Sequence, residues 1–339
     1  MTEDDIIAIR SLISSPKKIV VVPHKNPDGD AMGSCLGLYH YLKKHGQEVT
    51  VIAPNDYPEF LKWMPADDLS LKYELEKDHS DQLIKEADII FTLDFNALNR
   101  VGDMEQILTE SSAIKIMIDH HQEPADYATY MYSDVQMSST CEMVYNFITC
   151  MGDQSLIDEN IATCLYTGMM TDTGSFRFPS TTSETHRVVA YLIEQGANHS
   201  EIYNNVFDTN SFDRMQLLGR ALNNLKVKPE YRTAFITLSQ EELNQYNYKK
   251  GDTEGFVNYA LSIENIAFAA IFIEDKGNDI IKISLRSKGT FSVNAFAREH
   301  FKGGGHINAA GGRSELSLEA TVEKFISILP NYLKALNNA

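Results

Sequence analysis

A chain of 339 residues is long enough for two globular domains, and its 43% hydrophobic and 23% charged residues exclude a disordered composition and supply ordinary buried cores. The formal net charge of −17 argues against a protein that coats long nucleic acid, because that affinity comes from neutralising many phosphates with Lys and Arg. The longest apolar stretches, Lys18 to Pro23 and Ala87 to Leu93, fall far short of the roughly 18 residues of a membrane span, and the acidic "MTEDDIIAIRSL" is unlike a secretory start, so a cytoplasmic protein without a membrane partner is expected.

In chain order, "KKIVVVPH" (17–24) predicts a buried strand, "AMGSCLGLYHYLKKHG" (31–46) a helix closed by Gly46, and "QEVTVIAP" (47–54) a second strand. "ADIIFTLDF" (87–95) and "AIKIMIDHH" (113–121) read as further strands separated by a helical pattern at 101–110. Strands alternating with helices imply βαβ units, hence an α/β fold with a doubly wound, mostly parallel sheet. Helical patterns dominate from Ser138 to about Leu225. Beyond that, strands are expected at 231–238, 265–275 and 279–287, followed by a helix at 292–301, the glycine cluster "KGGGHINAAGGR" (302–313) and a terminal helix at 317–338. The expected organisation is an N-terminal domain at 1–185, a helical connector at 186–225 and a smaller C-terminal α/β domain at 226–339. The four cysteines, Cys35, Cys141, Cys150 and Cys164, form no CxxC pair, so neither a zinc ribbon nor a redox dithiol is signalled.

Charge is uneven along the chain. Lys226 to Arg313 carries 12 Lys and Arg against 10 Asp and Glu, a local net of +2, and the remainder carries −19. The later segment suits a short anionic ligand and the earlier one suits cations.

Ionisable residues collect at the carboxyl ends of the first domain's strands. His24, Asp28 and Asp30 follow the first strand, Asp94 closes another, and Asp119, His120 and His121 close the third. In an open parallel sheet these ends face one crevice. Asp172, in "MMTDTGSF", stands before a glycine turn that lets it reach the same place. Singly, a DGD triplet is an ordinary turn and Asp94 an ordinary helix cap. Together, four carboxylates and several imidazoles in one crevice call for neutralisation, and two divalent cations would balance Asp28, Asp30, Asp94 and Asp172. Mixed His and Asp ligation suits Mn²⁺ best, with Co²⁺, Fe²⁺ or Zn²⁺ as substitutes. A close metal pair serves hydrolysis of phosphoesters or phosphoanhydrides.

The ordered stretches "HKNPDGD", "LDFNALNR", "DHH" and "TDT" resemble the motifs of the DHH phosphoesterase superfamily, and "SLRS" followed by "GGGHINAAGG" resembles its DHHA1 C-terminal domain. The likeness spans about 18–313, and with "TDTGSFRF" it is similar to the bacterial nanoRNase/pAp-phosphatase group. That resemblance implies hydrolysis of very short oligoribonucleotides and removal of the 3′-phosphate from 3′-phosphoadenosine 5′-phosphate (pAp). It implies one metal on His24, Asp28 and Asp94, and a second on Asp30, Asp94, His120 and Asp172, with Asp94 bridging. His121 is then expected to act on the scissile phosphate or leaving oxygen, and Asp119 to orient a histidine.

For the substrate, Arg286 suits bidentate phosphate recognition, Gly303, Gly304 and Gly305 offer backbone N–H groups as an anion cradle, and His306 adds a donor. Arg100 is expected on a phosphate or in an ion pair. Phe176, Arg177 and Phe178 suit base stacking, with core burial of the phenylalanines the other reading. The main rival is a soluble cyclic-dinucleotide phosphodiesterase acting on cyclic di-AMP or its linear product; a RecJ-type exonuclease, a manganese pyrophosphatase and a non-enzymatic nucleotide-binding module are the others. A homodimer is left open.

Overall fold

The computed structural model describes all residues, 1–339, and the chain divides into two compact units, Met1–Thr209 and Asn210–Ala339. No helix is long and apolar enough to cross a membrane.

The first unit carries six strands: β1 (Lys18–Val22), β2 (Glu48–Ala53), β3 (Leu71–Lys72), β4 (Ile89–Leu93), β5 (Ile114–Asp119) and β6 (Tyr130–Ser133). All are parallel, in the order β3-β2-β1-β4-β5-β6. The order reverses between β1 and β4, which makes the carboxyl ends of those two strands the switch point of a doubly wound sheet. Its helices are α1 (Glu3–Leu12), α2 (Gly29–Lys44), α3 (Lys77–Glu86), α4 (Glu105–Glu110), α5 (Thr140–Cys150), α6 (Glu159–Asp172), α7 (Ser183–Glu194) and α8 (His199–Phe207). Alternate β1 residues face opposite cores. Ile19 and Val21 pack under α2, α5 and α6, while Val20 and Val22 pack with Ile84, Met104 and Leu108 of the α3–α4 layer. Burial on both faces is why these strands read as continuous apolar runs.

Helices α2 and α6 pack unusually closely. A Cβ on Gly33 would lie 2.6 Å from the carbonyl oxygen of Cys164, and one on Gly168 would lie 2.2 Å from Cys141 Sγ and 3.0 Å from Asp30 Cα. Only a backbone without side chains at these positions allows the end of α6 to sit beside the start of α2.

The second unit contains α9 (Phe212–Asn223), β7 (Lys226–Lys228), β8 (Thr233–Leu238), α10 (Gln240–Gln245), α11 (Phe256–Leu261), β9 (Phe268–Asp275), β10 (Ile280–Ser287), α12 (Val293–His300), β11 (Gly304–Gly305), β12 (Ala309–Ser314), α13 (Leu318–Ile328) and α14 (Leu333–Asn337). Its mixed sheet runs β11-β12-β10-β9-β8-β7, with β8 and β9 the parallel pair. One face packs on α12 and α13 through Phe235, Phe268, Phe272, Phe296 and Phe325, and the other on α9, α10 and α11. The chain is thus α/β in both units. The range 186–225 is shared, with α7 and α8 in the first unit and α9 in the second.

Two expected helices are interrupted. The segment at 101–110 is a 3₁₀ turn over Leu98–Met104 before α4, because Gly102 has φ 60° and ψ −122°. The terminal helix breaks into α13, a 3₁₀ turn at Leu329–Tyr332 and α14, since Pro330 has no N–H to continue the ladder. The glycine cluster forms the β11–β12 hairpin rather than an open loop.

Candidate metal centre

The β1–α2 turn builds the first half of the site. Asp28 caps α2, its Oδ1 accepting from the amides of Asp30 (3.1 Å) and Ala31 (3.0 Å). The other oxygen, Oδ2, lies 3.7 Å from His24 Nε2. His24 Nδ1 is 2.9 Å from the carbonyl oxygen of Lys25, which can only accept, so Nδ1 holds the proton and Nε2 carries the lone pair of the neutral ring. Asp94, just past β4, places Oδ2 3.5 Å from the same Nε2.

The second half forms around His120. Its Nδ1 donates to the carbonyl oxygen of Met137 (3.1 Å), and its Nε2 lies 3.7 Å from Asp30 Oδ2, 3.6 Å from Asp94 Oδ1 and 3.5 Å from Asp172 Oδ2. His24, Asp28 and Asp94 therefore make one triad, and Asp30, His120 and Asp172 another, each with its ligating atoms within 4.8 Å of one another. Asp94 stands between them, one oxygen toward each imidazole. Its φ of 66° lies in the left-handed region, which costs an ordinary residue about 1–3 kcal/mol and is retained where the surroundings demand it. Thr140 Oγ1 donates to Asp94 Oδ1 at 2.9 Å, and the amides of Thr140 and Cys141, at the start of α5, donate to the two oxygens of Asp30 at 2.6 and 2.9 Å.

Asp119 is fully buried at the end of β5 and accepts at 2.7 Å from His121 Nδ1. Its second oxygen has no hydrogen-bond partner. The carboxylate thereby fixes the ring of His121, whose Nδ1 also lies 3.6 Å from Asp94 Oδ1.

Electrostatics shows how poorly this cluster is served by protons. Burial, then the charges of Asp94 and Asp172, push Asp30 well above the usual carboxylate range. Burial pushes Asp172 up to about 6. Burial also opposes ionisation of Asp94, yet the hydrogen bond to His24 and the nearby histidines hold it below the usual range. Burial would lower His120, but Asp172, Asp30 and Asp94 raise it to about 9. Divalent cations would replace these protons charge for charge, and the donor set of imidazole nitrogens and carboxylate oxygens fits them.

One stability consequence follows from Asp172. A carboxyl with a raised folded-state pKa destabilises the fold above that pKa and has no effect below its unfolded value. Asp172→Asn is expected to raise the metal-free unfolding free energy by about 1–2 kcal/mol at pH 8 and to leave it unchanged near pH 3, measured by urea titration.

The remaining expected site residues fall in both units. Arg100 is exposed, and its carbonyl oxygen accepts from the amide of Lys25 at 2.8 Å. Phe176 is half-buried, with edge contacts to Tyr166 (5.7 Å) and a tilted one to His186 (5.9 Å), so it belongs partly to the first core. Arg177 is exposed, its guanidinium 5.5 Å from the centre of the Phe178 ring. In the second unit, Arg286 on β10 pairs with Ala269 and Ala309, and the β11–β12 hairpin brings Gly303–Gly305 and His306 to the same part of that sheet.

Two of the three glycine amides expected in the anion cradle, and that of His306, have acceptors within the second unit. The amide of Gly303 donates to Ala297, that of Gly305 to Asn294 Oδ1 and that of His306 to Ala309. The glycines instead permit close approach: a Cβ on Gly303 would meet the carbonyl oxygen of Gly311 at 2.0 Å, and one on Gly305 that of Ala309 at 2.5 Å.

Sequence reasoning missed the backbone contributors, Met137, Thr140 and Cys141. The signal available was Ser139-x-x-Glu142, a helix-start pattern that would have placed the amides of α5 at the strand ends.

The DHH family N-terminal domain matches residues 18–169 and the DHHA1 domain matches residues 231–335. The chain is 30% identical to the bifunctional oligoribonuclease and PAP phosphatase NrnA of Thermus thermophilus over 91% of this chain and 88% of that protein. It is 28% identical to the probable bifunctional oligoribonuclease and PAP phosphatase NrnA of Streptococcus mutans, over 90% and 92% respectively. The crystal structure of an exopolyphosphatase-related protein from Bacteroides fragilis superposes with a TM-score of 0.94 at 44% identity, covering 99% of this chain and 98% of that one. The DHH domain, which carries this His and Asp cluster at its switch point, and the DHHA1 domain that follows, with a relative 30% identical over most of both chains, place the chain in the DHH/DHHA1 phosphoesterase family.

Proposed function

We propose that this protein hydrolyses short oligoribonucleotides to mononucleotides and removes the 3′-phosphate of pAp to give AMP. The observation that carries the reading is Asp94 between two ligand triads, an arrangement suited to two adjacent divalent cations, for which Mn²⁺ is the best match to mixed His and Asp donors. The relatives whose names state these two activities match nearly the full chain, which supports the substrate class.

His24, Asp28 and Asp94 would hold one ion, and Asp30, Asp94, His120 and Asp172 the other. When bound, such a pair supplies activation of the attacking water and Lewis acidity at the phosphoryl oxygens. The residues supply the rest. His24 and His120 present Nε2 because their Nδ1–H groups donate to the backbone carbonyls of Lys25 and Met137. Asp119 holds His121 so that Nε2 delivers a proton to the leaving oxygen. In the second unit, the side chains of Arg286 and His306 bind the terminal phosphate, with the Gly303–Gly305 hairpin setting their spacing. Arg100 and Arg177 are exposed cations suited to substrate phosphates, and Phe176 offers an aromatic surface to a base. The relatives named oligoribonuclease support short chains as the preferred substrates. Four free cysteines, three of them buried, support a reducing, cytoplasmic setting.

The test is a Mn²⁺-dependent hydrolysis panel of RNA from dinucleotide to pentanucleotide, a long single strand, pAp, cyclic di-AMP and pyrophosphate. Turnover is expected to be fastest on the shortest RNAs and pAp. Preference for cyclic di-AMP would replace this reading with the cyclic-dinucleotide one; preference for the long strand or pyrophosphate would overturn the role given to the second unit.

A further inference from the structure

Glu142 is a buried carboxylate to which the proposed chemistry gives no part. It is 3% exposed, in the first turn of α5, and its partners are hydroxyls. Ser138 Oγ donates to Oε2, and Thr185 Oγ1, itself fully buried, lies 3.1 Å from Oε2 and 3.4 Å from Oε1. Thr185 also accepts from the amide of Thr182 at 3.1 Å, within the capping box that opens α7. The pattern Ser139-x-x-Glu142 would ordinarily send the glutamate side chain back to the amide of the cap residue. Only half of that device is built: Ser139 Oγ accepts from the Glu142 amide at 3.1 Å, while the Glu142 side chain is diverted to Ser138 and Thr185.

The diversion matters because of what Ser138 adjoins. Over five residues, Met137 to Cys141, the chain contacts three members of the cluster. The Met137 carbonyl fixes the His120 ring, the Thr140 and Cys141 amides hold Asp30, and Thr140 Oγ1 holds Asp94. Ser138 and Ser139 lie inside this segment, and both are bonded to Glu142. The first turn of α5 also favours a carboxylate through the helix dipole.

We propose that Glu142 is a positioning residue for the metal centre: through Ser138 and Thr185 it ties the Met137–Cys141 segment to α7 and so sets the orientation of His120, Asp30 and Asp94. The proposal rests on reading that cluster as a metal site. Losing an outer-shell partner typically lowers metal affinity by about 10–100-fold, and loosening the segment disturbs three partners at once.

The experiment compares Mn²⁺ binding by calorimetry in the wild type, Ser138→Ala, Thr185→Val, Glu142→Ala and Glu142→Gln. The His120 Nδ1 proton resonance is followed in the metal-free proteins. Ser138→Ala and Thr185→Val, each removing one hydroxyl with little change in volume, are expected to weaken Mn²⁺ binding by about 10-fold or more. Both should broaden or lose the His120 resonance. Glu142→Gln keeps an oxygen that both hydroxyls can reach and should stay close to wild type, whereas Glu142→Ala should resemble Ser138→Ala. If Glu142→Ala does not fold, the two hydroxyl variants still decide the matter. Variants that melt earlier yet bind Mn²⁺ with wild-type affinity and keep the His120 resonance would show a purely structural network and overturn the proposal. A wild-type protein that binds no Mn²⁺ would instead overturn the reading of the cluster.

Discussion

Asp94→Asn is expected to abolish turnover while leaving a folded protein. The left-handed backbone at position 94 favours asparagine at least as much as aspartate, so the substitution adds no strain. It removes the carboxylate that completes one triad and whose other oxygen lies 3.6 Å from His120 of the second. Losing an outer-shell partner alone costs roughly 10–100-fold in metal affinity, so losing this carboxylate should exceed about 100-fold. Lewis-acid stabilisation amounts to several kcal/mol, and at about 1.4 kcal/mol per tenfold the loss in kcat is expected at roughly 10³-fold or more. Calorimetry with Mn²⁺ and hydrolysis of a diribonucleotide check the two effects, with circular dichroism as the control for folding. Wild-type Mn²⁺ affinity in this variant would refute the proposal that Asp94 helps to hold the ions.

His121→Ala should separate catalysis from binding. The ring is tied to Asp119 and lies beside Asp94, but the two triads are complete without it. Its removal is expected to lower kcat by about 10²–10⁴-fold, the usual range for a positioned general acid. Mn²⁺ affinity and KM should change little. A nucleotide-binding module without activity would show no change in either affinity and no turnover to lose. A variant that loses metal before it loses turnover would make His121 a ligand instead of an acid.

The fold and the cluster were legible for the same reason. Buried parallel strands are short apolar runs, and their carboxyl ends at Val22, Leu93 and Asp119 are each followed or closed by ionisable residues, so period and charge point to one crevice. Asp172 was reachable because a glycine turn follows it. What escaped depends on backbone atoms and on long-range contact. The carbonyl of Met137 and the amide of Cys141 contribute no side-chain chemistry that a sequence can advertise. The β11–β12 hairpin reads as a phosphate loop because glycines serve close strand approach and anion binding with the same composition; which use prevails is decided by partners such as Ala297 and Asn294. The interrupted helix at 101–110 keeps its apolar spacing, and a single left-handed glycine overrides it.

The seam between α2 and α6 has a bearing on how this enzyme tolerates change. Asp30 opens one of those helices and Asp172 closes the other, so the span across which their carboxylates face His120 is gauged by how near two backbones come at Gly33 and Gly168. A methyl group at position 168 would press on Cys141 Sγ and the Asp30 backbone, widening the jaws of the site without altering any ligand. Gly168, which has no functional group at all, thus sets a distance within the site, and a larger residue there would both strain the core and displace Asp30.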